Sequence, residues 1–187
     1  ITIGSCFPTN TLPVSITKCY GDNVTIGNCP SFTGVSFRWQ YRQNASFAWA
    51  NISSMPWGTV SDEVSECLSG NTSSSLLTLE SRGFASTFPA GDYRRGIYAG
   101  SCTPDYSNPC TLILNSIPSN PTSSGNVSVC SDYPNPQLNV SVPIGVTVDW
   151  YNAITSGTLL ASSTTSYTPS GAGTFYAEAR NITTGCK

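Results

Sequence analysis

Apolar and polar residues alternate with a period of two through most of the chain. Val35, Phe37, Trp39 and Tyr41 are separated by Ser36, Arg38, Gln40 and Arg42. That is the pattern of a strand with one face on a core and the other in solvent. Val24 and Ile26 form a shorter run after the turn residues Gly21 and Asp22, and Leu77 and Leu79 form another. Tyr93 to Ala99 follows, and Cys110 to Leu114 closes the series. Turn-forming residues separate these runs at the spacing of packed β-sheets, and no stretch carries the period of an amphipathic helix.

The pattern then restarts. Asn115-Ser116-Ile117-Pro118-Ser119 reads as a boundary, after which Val127 and Val129 precede Cys130 and Leu138, Val140 and Val142 alternate. Val146, Val148 and Trp150 come next, then Leu159 and Leu160, Tyr167, and Phe175 to Ala179. Each half has a cysteine before its second strand (Cys19, Cys130) and a tryptophan on its third (Trp39, Trp150). Each also has a tyrosine-bearing late strand followed by a cysteine (Cys102, Cys186). This is a diverged internal repeat. A tryptophan on the third strand and a tyrosine opening the sixth are packing marks of immunoglobulin-like sandwiches, and Ala90-Gly91-Asp92-Tyr93 fits a tyrosine corner. The expected fold is all-β: two tandem immunoglobulin-like β-sandwiches. Arg95 stands where such a domain usually has its second inter-sheet cysteine. The expected division is an N-terminal strand and connector at 1–12, a first domain at 13–116 and a second at 117–187.

The length of 187 residues suits two such domains. Charged residues make up only 10%, but aromatic residues reach 11%, which separates the chain from disordered sequences. A net charge of −2 gives no nucleic-acid footprint, and no apolar run is long enough to span a bilayer. The chain has 8 cysteines, no histidine and no CxxC pair. That argues for disulfides in an oxidising compartment, against zinc, and against a Ser-His-Asp enzyme. The expectation is an extracellular or cell-surface protein without catalysis or cofactor. No signal peptide is read in the sequence, which suits a mature chain or an excerpt. Sequons at Asn23, Asn44, Asn51, Asn71, Asn126, Asn139 and Asn181 are candidate glycosylation sites.

The second half carries Val148-Asp149-Trp150-Tyr151, Gly157-Thr158-Leu159-Leu160, Ser166-Tyr167-Thr168-Pro169, Thr174-Phe175-Tyr176 and Thr184-Gly185-Cys186. Through these residues it resembles the Ig-like repeats of large secreted surface proteins of gliding and cellulose-degrading Bacteroidetes. The first half resembles a sister repeat through Cys19-Tyr20-Gly21-Asp22, Arg38-Trp39-Gln40, Trp49-Ala50-Asn51-Ile52, Tyr93-Arg94-Arg95 and Ser107-Asn108-Pro109. The resemblance implies a surface adhesin or filament exported across the outer membrane, and it does not imply a catalytic site. Cys6, Cys29, Cys67 and Cys110 depart from that pattern and suggest a stapled variant.

Strand directions suggest the disulfides. Cys19 and Cys102 fall at opposite ends of a sandwich, too far apart to bond. The expected bridges are Cys19–Cys186 across the junction, Cys6–Cys110 between first and last strands, and Cys29–Cys67. The second domain has no seventh strand after Gly185-Cys186-Lys187, so it is expected to lack its own last strand. The alternating Ile1-Thr2-Ile3 would complete a neighbouring copy head to tail, with Cys102 and Cys130 bridging the two; a flanking repeat of the same chain is the covalent alternative. The expected function is thus a structural subunit or stalk of an extracellular filament or adhesin. The alternative is a module that binds a surface glycan or receptor, with Trp57 as its contact. Trp49 is read as edge packing. Asp62, Glu63 and Glu66 read as a solvated loop, with weak calcium binding as the other reading. Arg94 and Arg95 alternate outward and inward, while Arg38 and Arg42 share a polar face suited to ladder pairing.

Overall fold

A computed structural model of the chain describes residues 10–27, 36–52, 77–79, 89–98 and 100–187. The chain divides into two compact units, Ile1–Leu114 and Asn115–Lys187. Among the described residues the regular elements of both are strands, with a 3₁₀ turn beginning at Ile52.

The first unit contains β1 (Ser15–Cys19), β2 (Val24–Ile26), β3 (Ser36–Arg42), β4 (Ala50–Asn51), β5 (Leu77–Leu79), β6 (Gly91–Tyr98), β7 (Asp105–Tyr106) and β8 (Cys110–Asn115). One sheet has the order β1-β8-β6-β3-β4, with β7 also on β6; β2 and β5 form a second sheet. The β3–β6 pairing is antiparallel and unbroken from Ser36↔Tyr98 to Arg42↔Asp92. Alternation along these strands produces the core. Trp39 and Tyr41 from β3, Tyr93 from β6, and Cys110 and Leu112 from β8 meet Val24 and Ile26 of β2, with Leu12 and Ile52 completing the cluster. The tyrosine corner is in place: Tyr93 donates to the Pro89 carbonyl at 2.7 Å. At Gly91 (φ 151°) a β-carbon would meet the Arg42 carbonyl at 2.7 Å, so the start of β6 requires glycine.

The first unit also differs from expectation at its start. Asn10 and Leu12 are buried parts of the unit, not a free connector. The Leu12 backbone and the Asn108 side chain exchange two hydrogen bonds of 2.9 Å.

The second unit contains β9 (Thr122–Ser123), β10 (Leu138–Ser141), β11 (Val146–Tyr151), β12 (Leu159–Ala161), β13 (Ser166–Tyr167) and β14 (Tyr176–Asn181). They form two three-stranded sheets, β13-β10-β9 and β12-β11-β14. Trp150 stacks near Tyr167, which meets Phe175, with ring centroids 5.7 and 5.3 Å apart. Val127 and Val129 are exposed and lie outside any strand, although their alternation suggested one. Gly125, at φ 99°, breaks the extended path just before them.

Candidate functional site

The two units treat the same strand differently. In the first, β6 is flanked by β3 on one side and by β8 and β7 on the other. In the second, β14 pairs with β11 alone, and among the described residues no strand lies on its other edge. The end of β14 is held by a compact turn. The Asn181 side-chain oxygen accepts from the backbone N–H groups of Thr183 and Thr184, each at 2.9 Å. Gly185, at φ 75°, donates to the Asn181 carbonyl, and the Asn181 N–H donates to the Cys186 carbonyl, both at 2.9 Å. The chain therefore reverses and starts back along the open edge. Since Ile182 donates to Gly145 on the β11 side, alternation turns the backbone groups of Ala177 and Ala179 to that open edge.

An open cleft of about 880 Å³ lies within the second unit, with Val127, Val129, Leu138, Val140, Trp150 and Phe175 among its lining. Leu138 and Val140 are only half-buried. Across the β11–β14 pair, Asp149 anchors the sheet. Arg180 reaches its two oxygens at 2.9 and 3.0 Å, the Ser163 N–H donates at 3.1 Å, and Lys187 lies at 3.2 Å. The hydrogen bonds from Arg180, more than the opposing effect of burial, hold the Asp149 carboxyl well below the usual range.

The cysteines only partly follow expectation. Cys19, Cys102 and Cys186 are disulfide-bonded, and the first and last of these must both be bonded if they form the expected bridge. Cys110 is a free thiol, so the Cys6–Cys110 pair is not formed; Cys130 is free in the single chain, while Cys102, its expected partner in a neighbouring copy, is already disulfide-bonded. The reason is local. Cys110 opens β8 on its inward face, opposite Tyr93, and is fully buried in the core as a small apolar side chain. Cys130 is exposed at the turn where Tyr133 donates to its carbonyl. Cys6, Cys29 and Cys67 lie outside the described residues, as do Ile1, Thr2, Ile3, Trp57, Asn71, Asp62, Glu63 and Glu66. The exposure that glycosylation requires holds at Asn23, Asn44, Asn51, Asn126 and Asn139; Asn181 is half-buried and caps the turn after β14.

Arg94 and Arg95 alternate as the strand period requires. Arg95 is fully buried: its Nε donates to Asn10 at 3.0 Å, and its backbone N–H donates to Ser107 at 3.0 Å. Burial lowers its pKa. Arg42 makes the expected ladder pair, with Asp92 at 2.9 Å, whereas Arg38 lies over the Tyr98 ring. Trp49 is half-buried beside β4 with two guanidinium groups against it, a role its sequence context did not reveal.

Among the described residues there is no cluster of three metal-ligating side chains, and no helix is long and apolar enough to cross a membrane. Comparison with curated proteins gives no match. Residues 118–187 match a family described as "Ig-like domain CHU_C associated", of the Bacteroidetes type. Such domains are typically non-catalytic modules of secreted or cell-surface proteins. The β-sandwich arrangement of the second unit agrees with this match to residues 118–187.

Proposed function

We propose that the chain is a structural segment of an extracellular filament or adhesin stalk, in which the second unit is completed by a strand laid along β14. The open edge of β14 carries this reading, since an unpaired strand edge is a template for another extended segment. The turn at Asn181–Cys186 and the cleft support it, because they give the incoming strand a direction and a place for its side chains. The alternating Ile1-Thr2-Ile3 of a neighbouring copy has the right pattern to fill it. A head-to-tail contact of this kind does not close on itself and grows into a fibre. A flanking repeat of the same polypeptide would use the same edge. Within each copy we propose a Cys19–Cys186 disulfide, which peptide mapping under non-reducing conditions will reveal or exclude.

The decisive experiment removes residues 1–5. The full chain should form linear assemblies by electron microscopy, and the truncated chain should not. A synthetic peptide of residues 1–12 should then bind the truncated chain and raise its melting temperature. Fibres formed equally well without residues 1–5, or a peptide that leaves the melting temperature unchanged, would refute strand donation by a neighbour.

A further inference from the structure

The outward face of β3 and β6 concentrates cations on a chain that is otherwise slightly acidic. The whole sequence has 8 lysines and arginines and a net charge of −2, yet Arg38, Arg42 and Arg94 share this one face. Register brings them together: Arg94 is opposite Gln40, so it sits diagonally between Arg38 and Arg42. Aromatic rings hold them. The Arg94 guanidinium lies 4.3 Å from the Trp49 ring centroid and 4.0 Å from that of Tyr106, and Arg42 lies 4.4 Å from Trp49. Arg38 lies 4.8 Å from Tyr98. Gly96 makes room for this arrangement, because a β-carbon there would meet the Tyr98 and Tyr106 rings at 3.0 Å.

Stacking covers the flat faces of these groups and leaves their N–H edges available. Among the described residues only Arg42 has a carboxylate partner, Asp92. Arg94 uses its Nε on Gln40 at 2.8 Å, and its terminal nitrogens have no hydrogen-bond partner among the described residues. Arg38 is exposed and makes no hydrogen bond among them. Burial lowers the Arg94 pKa; Tyr106 opposes this, and Arg42 adds like-charge repulsion, which an anion placed above the pair would relieve. Flat, pre-oriented guanidinium edges are receptors for planar or multi-oxygen anions.

We infer that this face binds an acidic polysaccharide, whose carboxylate or sulfate groups are read by Arg38 and Arg94. The surface is an open sheet face rather than a closed cavity, which suits an extended polymer. Gln40 and Asn51, joined at 3.1 Å, and the exposed Tyr98–Tyr106 hydroxyl pair, at 3.1 Å, offer partners for sugar hydroxyls. Nucleic acid fits less well: three cations on a net-acidic chain make a small electrostatic footprint, and guanidinium groups already occupy ring faces on which bases would stack. The site does not depend on strand addition at β14.

The test is affinity electrophoresis of the full chain through gels containing polygalacturonate, dextran sulfate, neutral dextran or single-stranded DNA. Retardation is expected with polygalacturonate or dextran sulfate, and which of them retards names the acid. It should weaken with added salt. Arg38→Gln and Arg94→Gln should each weaken binding about tenfold, the loss of one charge-assisted contact. Arg94→Lys should restore little, since it keeps the charge but loses the planar fork. Lys18→Gln, on exposed β1, should change nothing. Arg38→Gln touches one exposed side chain, so an unchanged melting curve will separate lost binding from lost folding. The proposal is overturned by no retardation in either acidic gel, by equal retardation in dextran or DNA, or by unaltered binding in both glutamine variants.

Discussion

The two units solve one packing problem with opposite chemistry. Both place a tryptophan on the strand that pairs with the tyrosine-bearing one. The first unit seals the position with a buried cation: Arg95, opposite Trp39, is held by Asn10 and lies near the Phe37 and Trp39 rings. The second anchors the equivalent pair of strands with a buried anion, Asp149, clamped by Arg180 and Lys187. The first unit has β8 to cover β6, and its core closes. The second has no such neighbour for β14, and its interior opens into the cleft. A sandwich interior closes when both edges of its central pair are occupied, whatever polar group sits between the sheets.

The comparison is broken most strongly at Arg95. Arg95→Ala leaves the Asn10 side-chain oxygen without its donor and opens a cavity, and should cost about 3 kcal/mol. Denaturant unfolding should show the loss in the first unit's transition only. Asp149→Asn should cost the second unit roughly 2 kcal/mol, since it weakens several charge-assisted hydrogen bonds at once. The same residue sets a pH dependence. Its folded pKa is depressed, so its contribution is present above the unfolded value of about 3.9 and is lost as pH falls toward the folded one. Acid melts should therefore flatten below pH ~4 in Asp149→Asn.

Smaller changes sharpen the contrast. Gly185→Ala meets no atom within 4 Å but forces an L-residue to φ 75°, at a cost of about 1–2 kcal/mol. It should also weaken binding of the 1–12 peptide by displacing the return turn. The smallest effect is a difference. Trp150 donates its indole N–H to the Thr164 carbonyl at 3.0 Å, whereas the buried Trp39 Nε1 has no partner among the described residues. Replacing each with Phe should cost about 1 kcal/mol more at Trp150, as read from the two melting transitions.

Much of this architecture could be read from the sequence because alternation reports burial directly. Val24, Ile26, Trp39, Tyr41 and Leu112 follow the period of two and all face the core. The two-residue strands β4, β7, β9 and β13 carry no period, and they exist only because a longer neighbour offers backbone groups. Val127 and Val129 show the converse, with a periodic signal and no partner strand. The expectation of a disulfide at Cys110 fails because the Cys110, Leu112, Leu114 alternation turns its side chain into the core, where it packs as a small apolar group. The inward turn of Arg95 was legible, but its partners Asn10 and Ser107 were not, since they come from distant segments. The arginine–aromatic face was hidden for the same reason: Trp49 and Tyr106 reach Arg94 only through strand order.

Strand register also implies an order in time. Gln40 and Arg94, opposite each other on β3 and β6, are 54 residues apart, while Asp149 and Arg180, on β11 and β14, are 31 apart. Closing the longer loop costs about 0.5 kcal/mol more chain entropy, and more distant contacts slow folding. The second unit's central ladder should therefore assemble first, before the better-sealed unit has found its own. During that interval the bare edge of β14 would be the earliest organised template in the molecule.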